Sequence, residues 1–180
     1  MIRKLLSVLI CFASITLFGQ TAAFVGKPVG KTEYSELNEF LSDYEIYSID
    51  ATSIYNYVKK SKTEHTEFQL NLGDKHSFKL DLQENIIQRP GIKAKVLTEN
   101  GIELQEPSGI KCYNGVVAGT TRKASISVDK EFLLGFVADN SEDFWFEPLW
   151  HIIPGAPTNQ YIFYYAKNFK QTSEHLCGAV

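Results

Sequence analysis

Between Phe68 and Leu82 the chain alternates apolar and polar residues: Phe68, Leu70 and Leu72 form one set, and Phe78, Leu80 and Leu82 a second. A period of two predicts half-buried strands, and Gly73-Asp74-Lys75 between the two sets predicts a hairpin turn. Further strands are predicted at Ile92–Leu97, Ile110–Val117, Ala124–Val128, Phe132–Val137, Phe144–Phe146 and Gln160–Tyr165. Gly101, Gly109, Gly119, Asp139-Asn140 and Pro154-Gly155-Ala156-Pro157 punctuate the series. Many short strands at close spacing predict a mainly β fold, a sandwich or barrel-like domain.

Upstream the period is helical. Tyr34, Leu37, Leu41 and Tyr44 fall on one face, which predicts a short amphipathic helix over Glu33–Leu41. Thr32 is its expected cap, and Glu33 and Glu36 suit the positive end of the helix dipole. Phe24–Lys31 reads as an extended lead-in, and Lys167–Val180 as a polar, extended tail. The domain is therefore expected at residues 24–166, with the tail at 167–180.

The first residues bear on compartment. Arg3 and Lys4 precede an apolar run, Leu5–Phe18, and Thr21-Ala22-Ala23 offers small residues for cleavage. This is the pattern of a secretory signal peptide over residues 1–23, and it predicts a secreted or extracellular product. The alternative, a membrane anchor, needs a longer run and a following stop-transfer cluster. Cleavage near Ala23 removes Cys11 and leaves Cys112 and Cys177.

Composition adds little to the pattern. With 44% hydrophobic and 13% aromatic residues, the chain has material for one domain with a core. A net charge of −3, without a basic patch interleaved with aromatics, argues against nucleic acid as a partner. No second apolar stretch is long enough to cross a membrane.

The usual catalytic signatures are missing: His-Glu-x-x-His, Gly-x-Ser-x-Gly, a phosphate-binding glycine loop and Cys-x-x-Cys. His65, His76, His151 and His175 are scattered, and the carboxylates are dispersed. His175-x-Cys177 offers two metal ligands where a structural zinc site needs four. The chain is not expected to be an enzyme or to carry a cofactor of its own.

Several stretches occur together in a telling order. Leu41-Ser42-Asp43-Tyr44-Glu45-Ile46 is followed by His65-Thr66-Glu67, Phe78-Lys79-Leu80-Asp81-Leu82 and Tyr113-Asn114-Gly115-Val116-Val117-Ala118-Gly119. Then come Phe146-Glu147-Pro148-Leu149-Trp150, Tyr164-Tyr165-Ala166-Lys167 and Leu176-Cys177-Gly178. In order and spacing, from about Leu37 to Gly178, this resembles the prodomain of the ADAM (reprolysin-type) zinc metalloproteases.

The resemblance implies a latency segment that also assists folding of its protease. The catalytic domain that follows it in the family carries a zinc held by three histidines. Cys177 then matches the family's cysteine switch, a thiolate that takes the fourth zinc position from the catalytic water. Gly178 beside it would let the backbone approach without a Cβ clash. The zinc belongs to the catalytic domain, the implied partner in cis or in trans. Full-length relatives are single-pass membrane sheddases. With the chain stopping after Val180, the expectation is a piece of such a precursor, the alternative being a complete inhibitor acting in trans.

Cys177 has a competing reading, a disulfide with Cys112 in a stand-alone secreted β-rich binding module. The resemblance bears on Cys112 too. Many family prodomains pair a cysteine at its position with one about fifteen residues on, where this chain has Ser127-Val128-Asp129-Lys130. The remaining matched residues are read structurally. Gly115 and Gly119 mark a turn or bulge, Trp145 and Trp150 pack in or beside the core, and Glu147 before Pro148 ends a strand.

Overall fold

Among the described residues nine strands close into a barrel, in the order β1 (Ala22–Val29), β2 (Glu45–Ser48), β11 (Gln160–Tyr165), β10 (Glu142–Pro148), β9 (Leu133–Asp139), β8 (Lys123–Val128), β7 (Lys111–Val117), β4 (His76–Glu84) and β3 (His65–Leu72). The computed structural model describes residues 21–30, 34–61, 63–86, 93–99, 101–105, 109–139 and 142–170. Most of the expected signal segment, Thr32 and Glu33 of the expected helix, Ile92, and His175, Cys177 and Gly178 lie outside these residues.

The hairpin expected around Gly73 is β3 (His65–Leu72) and β4 (His76–Glu84), paired antiparallel from His65↔Gln83 to Leu72↔His76. Gly73 has φ +56°, a left-handed turn conformation that glycine adopts without a Cβ penalty. Phe68, Leu70, Leu72, Phe78, Leu80 and Leu82 all point into the barrel and are at most 5% exposed. The sheet continues through β7 (Lys111–Val117), β8 (Lys123–Val128), β9 (Leu133–Asp139), β10 (Glu142–Pro148) and β11 (Gln160–Tyr165), each antiparallel to the next. The fold class is mainly β, as the alternation implies, and a barrel rather than a sandwich.

Closure depends on two further strands. β1 (Ala22–Val29) pairs parallel with β3 and antiparallel with β2 (Glu45–Ser48), and β2 pairs with β11. The lead-in is thus a structural strand, and the expected cleavage point falls inside it. Residues from Phe24 onward keep the pairing from Phe24↔Leu70 to Gly26↔Leu72 and all of that with β2.

A helix absent from the expected elements, α2, covers one end. Asp50 caps α2 (Ala51–Lys60) by accepting from Ser53 N, and Lys59 and Lys60 complement its C-terminus. Ala51, Ile54, Tyr55 and Val58 pack into the barrel core. The Thr52 hydroxyl reaches Lys130 in the β8–β9 turn, and Tyr57 donates to the Glu67 carbonyl near the start of β3, so the helix spans that mouth.

The helix expected at Glu33–Leu41 is shorter: α1 is Leu37–Phe40. Tyr34 precedes it, with its carbonyl accepting from the Tyr44 hydroxyl. The helix ends because Leu41 becomes extended and bridges to Phe169. The expected apolar face is real. Tyr34, Leu37, Leu41 and Tyr44 join Ile46, Leu149 and Ile162 in a second cluster outside the barrel.

Gly119 lies in the β7–β8 turn, as expected, but Gly115 is neither a turn nor an expected bulge. It sits within β7, where a Cβ would come 2.0 Å from the Asp81 carbonyl oxygen of β4. Trp145 packs on Phe136, 5.0 Å between rings, on the outer surface of β10, and Trp150 stands against His151 in the 3-10 turn after it. Pro148 is the last residue of β10, one place beyond the strand end expected at Glu147. Strands β5 (Ala94–Thr98) and β6 (Gly101–Gln105) form a separate two-stranded ribbon between β4 and β7.

Candidate functional site

The segment leading to Cys177 leaves the barrel from β11. After Tyr165 a 3-10 turn, Ala166–Asn168, redirects the chain across α1. Ser42 N donates to the Asn168 carbonyl at 2.8 Å, and the Asn168 amide donates to the Asp43 carbonyl at 3.2 Å. Phe169 bridges to Leu41, and Lys170 N donates to the Phe40 carbonyl at 2.7 Å. The Lys170 ammonium also reaches the Asn38 carbonyl. The tail expected to begin at Lys167 is therefore held to the domain as far as Lys170.

Beside this anchor lies a groove of about 250 Å³ lined by Leu37, Phe40, Leu41, Glu147, Ile152, Tyr164 and Phe169. Its walls are mostly apolar, and its acidic group is occupied, because the Tyr164 hydroxyl donates to Glu147 at 2.8 Å. Burial, with that bond and the Glu147 charge adding to it, pushes the Tyr164 phenol well above its usual range.

Cys112 lies on β7 directly opposite Ser127 on β8. Its thiol is half-buried, in no disulfide among the described residues, and 3.5 Å from the Ser127 hydroxyl. The structure thus brings together two positions fifteen residues apart. It says nothing of Cys177 and Gly178, which lie outside the described residues, or of any pairing between Cys112 and Cys177.

Two polar clusters escaped the sequence reading. At the β3–β4 turn, Glu45 accepts from Tyr47 at 2.6 Å and pairs with Lys75 and His76. Burial opposes the Glu45 charge, but the bonds from Lys75 and Tyr47 outweigh it, and the carboxyl sits below its usual value. His76 is enclosed by Phe78, Phe144 and Tyr165, with Glu45, Lys75 and Arg122 as charged neighbours. Burial pushes its pKa down and prevails over Glu45, whose charge and hydrogen bond raise it by more than the charges of Lys75 and Arg122 lower it.

On the outer face of β3 and β4, donor atoms of His65, Glu67 and Asp81 lie within 4.8 Å of one another. These groups already pair internally. His65 meets Asp81 at 2.5 Å and Lys79 meets Glu67 at 3.4 Å, so a cation would have to displace both contacts. Spacing could have flagged His65-x-Glu67 on one strand face, but only the hairpin register brings Asp81 opposite Glu67.

Among the described residues no helix is long and apolar enough to cross a membrane. No family model matches this chain, and no curated protein matches it.

Proposed function

We propose that this chain is the prodomain region of a sheddase precursor of the ADAM class, most similar to the tumour necrosis factor-α converting enzyme. It would keep the zinc endopeptidase latent through Cys177 and assist its folding. The observation that carries this reading is the Cys112–Ser127 pair. The resemblance implies a disulfide between the position of Cys112 and one about fifteen residues later. The strand register sets Ser127 opposite Cys112, at the one offset such a disulfide needs. Facing residues on antiparallel strands have Cα atoms about 4.5–5.5 Å apart, within the span a disulfide bridges. The strand pairing therefore agrees with the spacing that the resemblance implies and supports it.

The anchor at Lys170 suits the same role. Cys177 is seven residues further along the chain, a reach of at most about 25 Å. A thiolate tethered that closely to a folded barrel has a high effective concentration at a zinc beside it. It would bind the metal at about 2.3 Å in place of the hydrolytic water. This chain supplies the thiolate and the positioning, and the zinc and its three histidines belong to the catalytic domain.

The test is titration of the mature chain against a catalytic domain of this class, after counting reactive thiols. Inhibition with both cysteines free, weakened at least tenfold by Cys177→Ala, is the expected result. A Cys112–Cys177 disulfide with no inhibition would instead leave a secreted β-rich binding module.

A further inference from the structure

We infer that the groove between Phe40 and Phe169 is the seat of an apolar side chain of the same catalytic domain, an inference that rests on the latency reading. Phe40 and Phe169 are 37% and 54% exposed, and they stand over the buried side chains of Leu37 and Leu41. The volume of about 250 Å³ suits one large apolar side chain. At its edge the Tyr164 hydroxyl is engaged with Glu147, and the rest of the lining is apolar, which favours an apolar group. Exposed aromatics around a pocket are the usual anchors of a protein interface.

The tether identifies the occupant. Lys170 is hydrogen-bonded to Phe40 at the rim of this groove, and Cys177 follows within about 25 Å of chain. A domain whose zinc holds Cys177 is therefore kept beside the groove. A second exposed apolar patch among the described residues, Leu97, Ile102 and Leu104 on β5 and β6, is differently placed. Its ribbon enters after Glu84 and leaves before Lys111, at the end of the barrel opposite Tyr165. Two contacts, one at the zinc and one at the groove, bind more tightly than either alone when a short segment links them.

The inference is tested by inhibition titrations of wild type, Phe169→Asp, Phe40→Ser and Leu97→Asp against the catalytic domain, with circular dichroism on each. The expected result is at least tenfold weaker inhibition for Phe169→Asp and Phe40→Ser, and less than twofold change for Leu97→Asp. If Phe169→Asp loses its fold, Phe40→Ser decides. Full inhibition by both groove variants would overturn the groove contact and leave the latency reading standing. Loss of inhibition only in Leu97→Asp would do the same and move the contact to the ribbon. A wild-type chain that does not inhibit would remove the latency reading itself. A chain dimer that Phe169→Asp dissociates, without change in inhibition, would show the groove to be covered by a second copy.

Discussion

Two apolar clusters share β2 and β11 and face opposite ways. Tyr47, Tyr161 and Phe163 point into the barrel, while Ile46 and Ile162, their neighbours in sequence, point outward beneath α1. The inner cluster draws on every strand of the barrel and on α2. The outer one rests on one face of two strands and is covered by α1 and the 3-10 turn at Leu149–His151. The difference separates two jobs. The inner cluster decides whether the chain folds, because its contacts depend on strand closure between distant segments. The outer cluster decides where the chain goes after Tyr165, because the Phe169 and Lys170 contacts are made to α1.

The largest effect should come from the inner cluster. Leu80 is fully buried, so Leu80→Ala should cost about 2–5 kcal/mol in chemical denaturation. A loss below about 1 kcal/mol would mean that the barrel interior is not close-packed. Next is Ser127→Cys. Under oxidising conditions it should join Cys112 and stabilise by about 3 kcal/mol, the value for a fifteen-residue loop. Thiols that stay free in that variant would contradict the β7–β8 register.

The outer cluster should respond more locally. Leu37→Ala should cost about 2 kcal/mol, at the low end for a buried leucine, because α1 is short and can settle. Hydrogen exchange should quicken at the Ser42 and Lys170 amides and stay slow across β3 and β4. Equal quickening in both places would erase the distinction between the clusters.

Smallest is the pH response of the Glu45–His76 cluster. Both groups have folded pKa values below their ordinary values of 4.5 and 6.5. The unfolded chain therefore binds protons first as pH falls, and acid removes stability. The His76 contribution is present above pH 6.5 and is lost as pH falls from there through the lowered folded value. The Glu45 contribution follows below pH 4.5. His76→Gln should flatten the upper part of a stability–pH curve and leave the lower part. An unchanged curve would remove His76 from the account.

The β3–β4 hairpin was legible because its strands are local, alternate cleanly and meet at a glycine turn. β1 was not, because Gly26 and Pro28 interrupt its pattern and its partners are distant. Proline is tolerated there because the pairing with β3 ends at Gly26, so Pro28 has a strand neighbour on one side only, Tyr47 of β2. α2 carried a signal that went unread. Ala51, Ile54, Tyr55 and Val58 have helical spacing behind the Asp50 cap, but Thr, Ser, Tyr, Asn and Val around them are weak helix formers. Gly115 reads as a turn or bulge in sequence because glycine marks these more often than close strand contact, and only the pairing with β4 reveals the crowding. The Cys112–Ser127 pair was half legible. The offset is implied by the resemblance alone, and the register that sets Ser127 opposite Cys112 appears only in the fold.

The proposed latency rests on one metal–sulfur bond, and a cobalt-substituted catalytic domain of this class reports it directly. Adding the mature chain should produce a thiolate-to-cobalt charge-transfer band, which Cys177→Ala abolishes while its circular dichroism stays that of wild type. Inhibition without that band in the wild-type complex would show that the barrel blocks the cleft by contact alone and that Cys177 is not the ligand.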